Sequence, residues 1–320
     1  MQGTEATFIG SALMIARLTF FLALLLAPAA ASAQTVDNPQ ALRERSLELV
    51  NRERGAKALN RLELEGALNE AALAHAKDML KRDYFAHTSP KGGTVLDRYI
   101  ESGGDRGRVV RENLSNCKGC QRPPDVSAVE EMHRGWMNSP GHRANILAEG
   151  LTDFGFAVVQ DNKGNRYGVQ TFAGPGTPRG ERQGESVKTI SPAAQTRLAA
   201  EIINDLRSDA AAVTADDRLR GHIEGKLPSG KLADDSLSKI SLLKDLPADF
   251  RWLSYQVLSG QCSGCGENST SSDVRFFLDS WADRDRSRAV LKDATFTNIG
   301  FVIVADGRGR KLAVLLLAGA

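Results

Sequence analysis

The stretch Trp136-Met-Asn-Ser139-Pro140-Gly-His142-Arg-Ala-Asn145-Ile-Leu147 decides how this chain reads, because a second stretch answers it. A shift that lays Trp281 on Trp136 also lays Cys262-Ser-Gly-Cys265 on Cys117-Lys-Gly-Cys120. The same shift lays Asn298-Ile-Gly-Phe-Val-Ile-Val304 on Asp153-Phe-Gly-Phe-Ala-Val-Val159, and Leu317-Ala-Gly319 on Phe172-Ala-Gly174. Apolar packing positions agree between the copies, and polar ones do not. His142 becomes Ser287, Asn145 becomes Val290, Gln170 becomes Leu315 and Thr171 becomes Leu316. With a one-residue shift upstream of the cysteines, Glu112-Asn113 become Gln256-Val257. An internal repeat of this kind separates what the fold needs from what only the first copy does.

Ser139-Pro140 places a capping residue before a proline at the first helical position, so a short helix opens there and runs to Leu147. Upstream, Val126, Val129, His133 and Trp136 keep helical spacing over 126–137. Leu42, Leu49 and Val50 mark a first amphipathic helix, and Leu68, Ala71, Ala72, His75 and Met79 a second. A loop over 82–93 then carries His87. Two β runs, 154–160 and 166–173, close the copy as a hairpin around Asp161-Asn-Lys-Gly-Asn165. The second copy repeats the scheme with a helix over 274–281 and β runs over 299–305 and 311–318. It is shorter in the middle, where the His87 loop has no counterpart. Helices around a small antiparallel sheet give an α+β layered domain. The expected domains are 36–174 and a degenerate 191–320, joined by a Gly, Pro and charge-rich linker over 175–190.

The chain has 320 residues, 42% hydrophobic and 25% charged, with a formal net charge of +2 and no long basic run. Nucleic acid is therefore not an expected partner. Arg17, the apolar run 18–27, Pro28 and the small residues ending in Ala31-Ser32-Ala33 have the layout of a signal peptide over 1–33, with Met14 as an alternative start. The apolar run is too short for a stable membrane span, so the mature chain is expected to be secreted or periplasmic. In an oxidising compartment local disulfides lead for Cys117, Cys120, Cys262 and Cys265. A shared four-thiolate zinc site and a dithiol redox centre are the alternatives that the spacing leaves open.

Phe85-Ala-His87, Arg111-Glu112-Asn113-Leu114 and the 136–147 stretch, with Leu49-Val-Asn51-Arg-Glu-Arg54, the 71–79 helix and Tyr167-Gly-Val-Gln-Thr-Phe172, carry a family likeness. In order and spacing the chain resembles the CAP superfamily (cysteine-rich secretory proteins, antigen 5, pathogenesis-related 1), in its bacterial SCP-domain branch, over 41–174. The resemblance implies an α–β–α sandwich with a surface cleft holding two histidines and acidic partners. The matching positions are His87, Glu112 and His142. A fourth acid, usual in animal and plant members, is not matched; its place falls near Ser139, with Glu131 an outlying candidate.

Two neutral imidazoles and a carboxylate are a donor set for a divalent metal, Zn²⁺ first, with a position open to water. The same three side chains also make sense as a hydrogen-bonded polar cluster, with Asn145 fixing a loop. Ser139 and Asn145 are expected beside the cleft. Gln170 is expected to face it, with Thr171 on the other side of the strand. His75 and His133 read as core histidines. The leading expectation is a cleft-bearing module that binds a divalent metal and an extracellular lipid, glycan or peptide through His87, Glu112 and His142. A metal-dependent hydrolase acting on envelope peptide or glycan, with Glu112 as general base, is the rival, and a structural envelope protein is the third reading.

Overall fold

The computed structural model describes residues 39–181, 187–207, 211–233, 235–244, 246 and 254–319. The signal-peptide reading of 1–33 lies outside them. The first half contains α1 (Pro39–Gly55), β1 (Glu63–Leu64), α2 (Gly66–Arg82), α3 (Val95–Glu101), β2 (Val109–Cys117), α4 (Val126–Asn138), α5 (Pro140–Ile146), β3 (Asp153–Gln160) and β4 (Arg166–Gly174). Its sheet runs β1-β3-β4-β2, parallel between β1 and β3 and antiparallel elsewhere.

Alternation along β3 assigns the layers. Phe154, Phe156 and Val158 join α1 and α4 through Leu49, Val50, Val129 and Trp136, whereas Ala157 and Val159 join α2 through Ala72, Ala76 and Met79. Helices therefore cover both faces, giving the expected α–β–α sandwich. They bury every residue of β4, so the alternating in-and-out pattern is absent there.

The second half contains α6 (Pro192–Leu206), β5 (Thr214–Ala215), α7 (Asp217–Lys226), β6 (Ser254–Cys262), α8 (Ser271–Ala282), α9 (Asp285–Lys292), β7 (Asn298–Ala305) and β8 (Lys311–Gly319). Its sheet, β5-β7-β8-β6, has the topology of the first. Hydrogen bonds that brace the scaffold recur too. Arg54 donates to the carbonyls of Asn60, Ile146 and Ala148, and Arg207 to those of Ala211, Leu291 and Phe296. The Asn51 side chain exchanges two bonds with the backbone of Leu62, as Asn204 does with Val213.

Strand register corrects the sequence alignment at one point. Cys117 pairs with Arg166 and Cys262 with Lys311, while Asn113 pairs with Gln170 and Leu258 with Leu315. No one-residue shift separates the copies there. Glu112 corresponds to Val257 and Asn113 to Leu258, so the replacement by apolar residues is more complete than expected. The shortening begins in the helix before the loop. A Cβ on Gly155 would press on the backbone of Leu68, and one on Gly300 on that of Leu219. These contacts align α2 with α7, and α7 ends at Lys226, level with His75.

The stretch expected to be a linker is strapped down where it is described. Gly176 donates to Gly150, Gly266 donates to Pro175, and Ser271 donates to Lys188. The Cys262–Cys265 turn inserts at this seam, with the Gly264 amide on the Gly107 carbonyl at 2.9 Å. Ion pairs from Lys231 and Arg310 to Asp105 also cross it. The two halves belong to one compact unit.

Candidate functional site

The site forms where β2, the α2–α3 loop and α5 meet, in the first half. A capping box at Thr94 and Asp97 starts α3 and so fixes Arg98 one turn later. Glu112 projects from β2 with its side chain 2% exposed. One carboxylate oxygen accepts from His87 Nδ1 at 2.9 Å and the other from Arg98 Nη2 at 2.8 Å. Arg98 also donates to the carbonyls of His87 (3.0 Å) and Gly93 (3.1 Å), so one guanidinium closes the loop that carries His87. The His87 ring is 58% exposed. With its Nδ1–H on the carboxylate, its Nε2 is left as the free nitrogen.

His75 supports the same loop from beneath. It is fully buried, its Nε2 donates to the Ala86 carbonyl at 2.9 Å, and that nitrogen stands 3.8 Å from the Glu112 carboxylate. Burial, more than any neighbour, pushes its imidazole below the ordinary range. His75 was expected to be a core residue; it is buried, and it also braces the site.

Asn145 on α5 donates to the Glu112 carbonyl (3.0 Å) and to the Asn113 side chain (2.9 Å), and it accepts from Arg111. Asn113 donates to the His142 carbonyl and to the Gln170 side chain, and Gln170 donates to Ser46 on α1. A buried polar chain thus crosses the core from α1 to the cleft. Gln170 is fully buried and reaches the cleft only through Asn113, so it supports the cleft wall and does not line it. Thr171, on the other face, bonds the Leu68 carbonyl.

His142 is half-buried in the first turn of α5. Burial first, then the nearby His87, lowers its pKa and favours the neutral ring. Ser139 holds the expected N-cap position before Pro140, but its hydroxyl makes no capping bond. Ser139 and His142 instead edge a groove of about 390 Å³. Phe85, Leu114, Trp136 and the Cys117–Cys120 disulfide give this groove an apolar lining, to which Glu131 and Arg166 add charge.

The four cysteines form the two expected local disulfides, Cys117–Cys120 and Cys262–Cys265, rather than a shared four-thiolate zinc site. The expected donors His87, Glu112 and His142 share this corner but do not form a ready metal cage. Among the described residues, no group of three or more His, Cys, Asp or Glu side chains is placed to hold an ion. Both oxygens of Glu112 are engaged, which leaves two imidazoles as free donors. The donor set therefore fits a divalent ion poorly. For the same reason Glu112 faces His87 and Arg98 rather than an open position where a general base would meet water. Arg98 was missed in the sequence; only its capping box, Thr94-x-x-Asp97, hinted at an ordered element.

Residues 47–172 match the family described as the cysteine-rich secretory protein family, CAP. The uncharacterized protein YkwD of Bacillus subtilis (strain 168) is 35% identical over 120 residues, which is 38% of this chain and 43% of that protein. The uncharacterized membrane protein YlbC of the same organism is 33% identical over 149 residues, 46% of this chain and 39% of that protein. The chain thus spans less than half the length of these relatives. An extracellular SCP-domain protein from Bacillus anthracis str. Ames shares 27% identity at a TM-score of 0.35, over 42% of this chain and 40% of that one. Residues 47–172, which hold the sandwich and the site of the first half, thus match the cysteine-rich secretory protein (CAP) family.

Proposed function

We propose that this chain is an exported CAP-domain binding module. Its first half receives an extracellular ligand in the cleft between His87 and His142 and along the adjoining groove. The free nitrogen of His87 accepts, whereas the Ser139 hydroxyl and the Arg111 guanidinium can donate, so the cleft favours a ligand that presents both hydroxyl or amide donors and acceptor oxygens. The apolar wall from Phe85 to Trp136 suits the body of a lipid, an acylated glycan or a peptide.

The observation that carries this reading is the contrast on one scaffold. The bracing bonds of Arg54 and Asn51 recur at Arg207 and Asn204, yet Glu112, Asn113, His142, Asn145 and Gln170 meet Val257, Leu258, Ser287, Val290 and Leu315. A polar chain that the fold does not require is kept in one half only. Two oxidised CxxC pairs support a secreted or periplasmic location. Among the described residues no helix is long and apolar enough to cross a membrane.

An array of envelope glycans, lipids and peptides probed with the labelled chain tests the proposal. Retention of one class by wild type and its loss in His87→Ala/His142→Ala supports it. Equal retention by both proteins removes the cleft from the function.

A further inference from the structure

We infer that Arg98 is the resident cation of the cleft: its guanidinium stands on Glu112 where a divalent ion would otherwise stand. Glu112 is then a positioning residue for His87 and not a metal ligand. The inference rests on the reading of this cleft as the functional site.

Three features carry it. Arg98 is 10% exposed and bridges three acceptors at once: Glu112 Oε2, the His87 carbonyl and the Gly93 carbonyl. Displacing it would leave Glu112 Oε2, on a carboxylate 2% exposed, without its partner, and an unpaired buried acceptor is costly. The planar fork of a guanidinium suits this bridging role. The remaining Glu112 oxygen accepts the Nδ1–H of His87, which fixes the ring tautomer and turns Nε2 outward. An incoming ion would meet a neutralised carboxylate, a neighbouring guanidinium and two imidazoles. The same arrangement serves an uncharged ligand that brings a hydroxyl or amide donor to His87 Nε2, because the Glu112 charge is already balanced from within.

Titration of the full mature chain with Zn²⁺ alone, by calorimetry and by competition with a chelating dye, tests this. The proteins are wild type, Arg98→Met, Arg98→Met/Glu112→Gln, Arg98→Lys and Glu112→Gln. The expected result is weak binding by wild type, a gain of about tenfold or more in Arg98→Met, and loss of that gain in the double variant. Arg98→Lys, which keeps the charge, should bind as wild type does. Glu112→Gln keeps an amide oxygen on His87, so it should change wild-type affinity by less than about tenfold. A folded Arg98→Met with no gain overturns the inference, as does a tenfold or greater loss in Glu112→Gln. If Arg98→Met does not fold, the Arg98→Lys and Glu112→Gln arms decide. Failure of the cleft itself would show elsewhere, as unchanged array retention in His87→Ala/His142→Ala.

Discussion

His133→Leu should stabilise this protein, and more so in acid. His133 lies on α4 against α1 with its side chain 3% exposed, and neither ring nitrogen has a hydrogen-bond partner. Its nearest charge is Glu53, at 3.6 Å from Nε2. The corresponding residue of the second half is Leu278, fully buried, so the scaffold accepts leucine here. An unpaired buried polar group costs about 1–3 kcal/mol, and Glu53 recovers part of that, so the variant should gain about 1 kcal/mol at pH 7.5.

The pH term has a definite sign. Burial is the main cause that lowers the folded pKa of His133 below the ordinary 6.5. The unfolded chain therefore takes up the proton first. Stability is full above pH 6.5 and falls as the pH drops from there towards the folded value. Each pH unit over which the ring stays neutral in the fold while the unfolded chain is protonated costs about 1.4 kcal/mol, and leucine abolishes that loss. His75 and His142 are lowered in the same direction, so the variant should keep a shallower acid slope rather than none. Urea unfolding at pH 7.5 and pH 5.0, followed by tryptophan fluorescence, measures both effects. A variant less stable than wild type at pH 7.5, or one with an unchanged acid slope, refutes the reasoning.

Other substitutions separate scaffold from site. Arg54→Met removes the donor from three carbonyls, that of Ile146 buried, and should cost about 2–4 kcal/mol, with Arg207→Met costing a similar amount, both read as urea midpoints. Gly155→Ala drives a Cβ into the backbone of Leu68, so it should cost about 3 kcal/mol by pushing α2 off β3. His75→Ala frees the Ala86 carbonyl and should speed amide exchange across 84–93 by about five- to tenfold. His75→Gln, which can still donate to that carbonyl, should restore most of the protection; unchanged exchange in His75→Ala would remove His75 from the support of the loop.

Legibility followed physical scale. Helices α2 and α4 carry long apolar stripes, and the hairpin has glycine and asparagine at its turn, so local pattern was enough for them. Strand β2 was not anticipated because Arg111, Glu112, Asn113, Ser115 and Asn116 interrupt its apolar residues, and it lies at a sheet edge where polar residues are tolerated. Gln170 was expected to alternate between cleft and core, but a central strand covered on both faces has no solvent side to alternate with. The run Gln256-Val257-Leu258 allowed two alignments, and only strand pairing settled which residue meets Glu112. His87, Glu112 and His142 were visible as a constellation. Arg98 was not, because its meaning depends on a contact with Glu112 across β2 that no local pattern encodes.

The central claim is that ligand is received at His87 and His142. The chain has five histidines, so ring-selective NMR with the array's strongest binder as titrant reads it directly. The account predicts that the His87 and His142 signals move together and saturate, while those of His133 and His222 stay in place. Movement at His133 or His222 with His87 and His142 unmoved would contradict it.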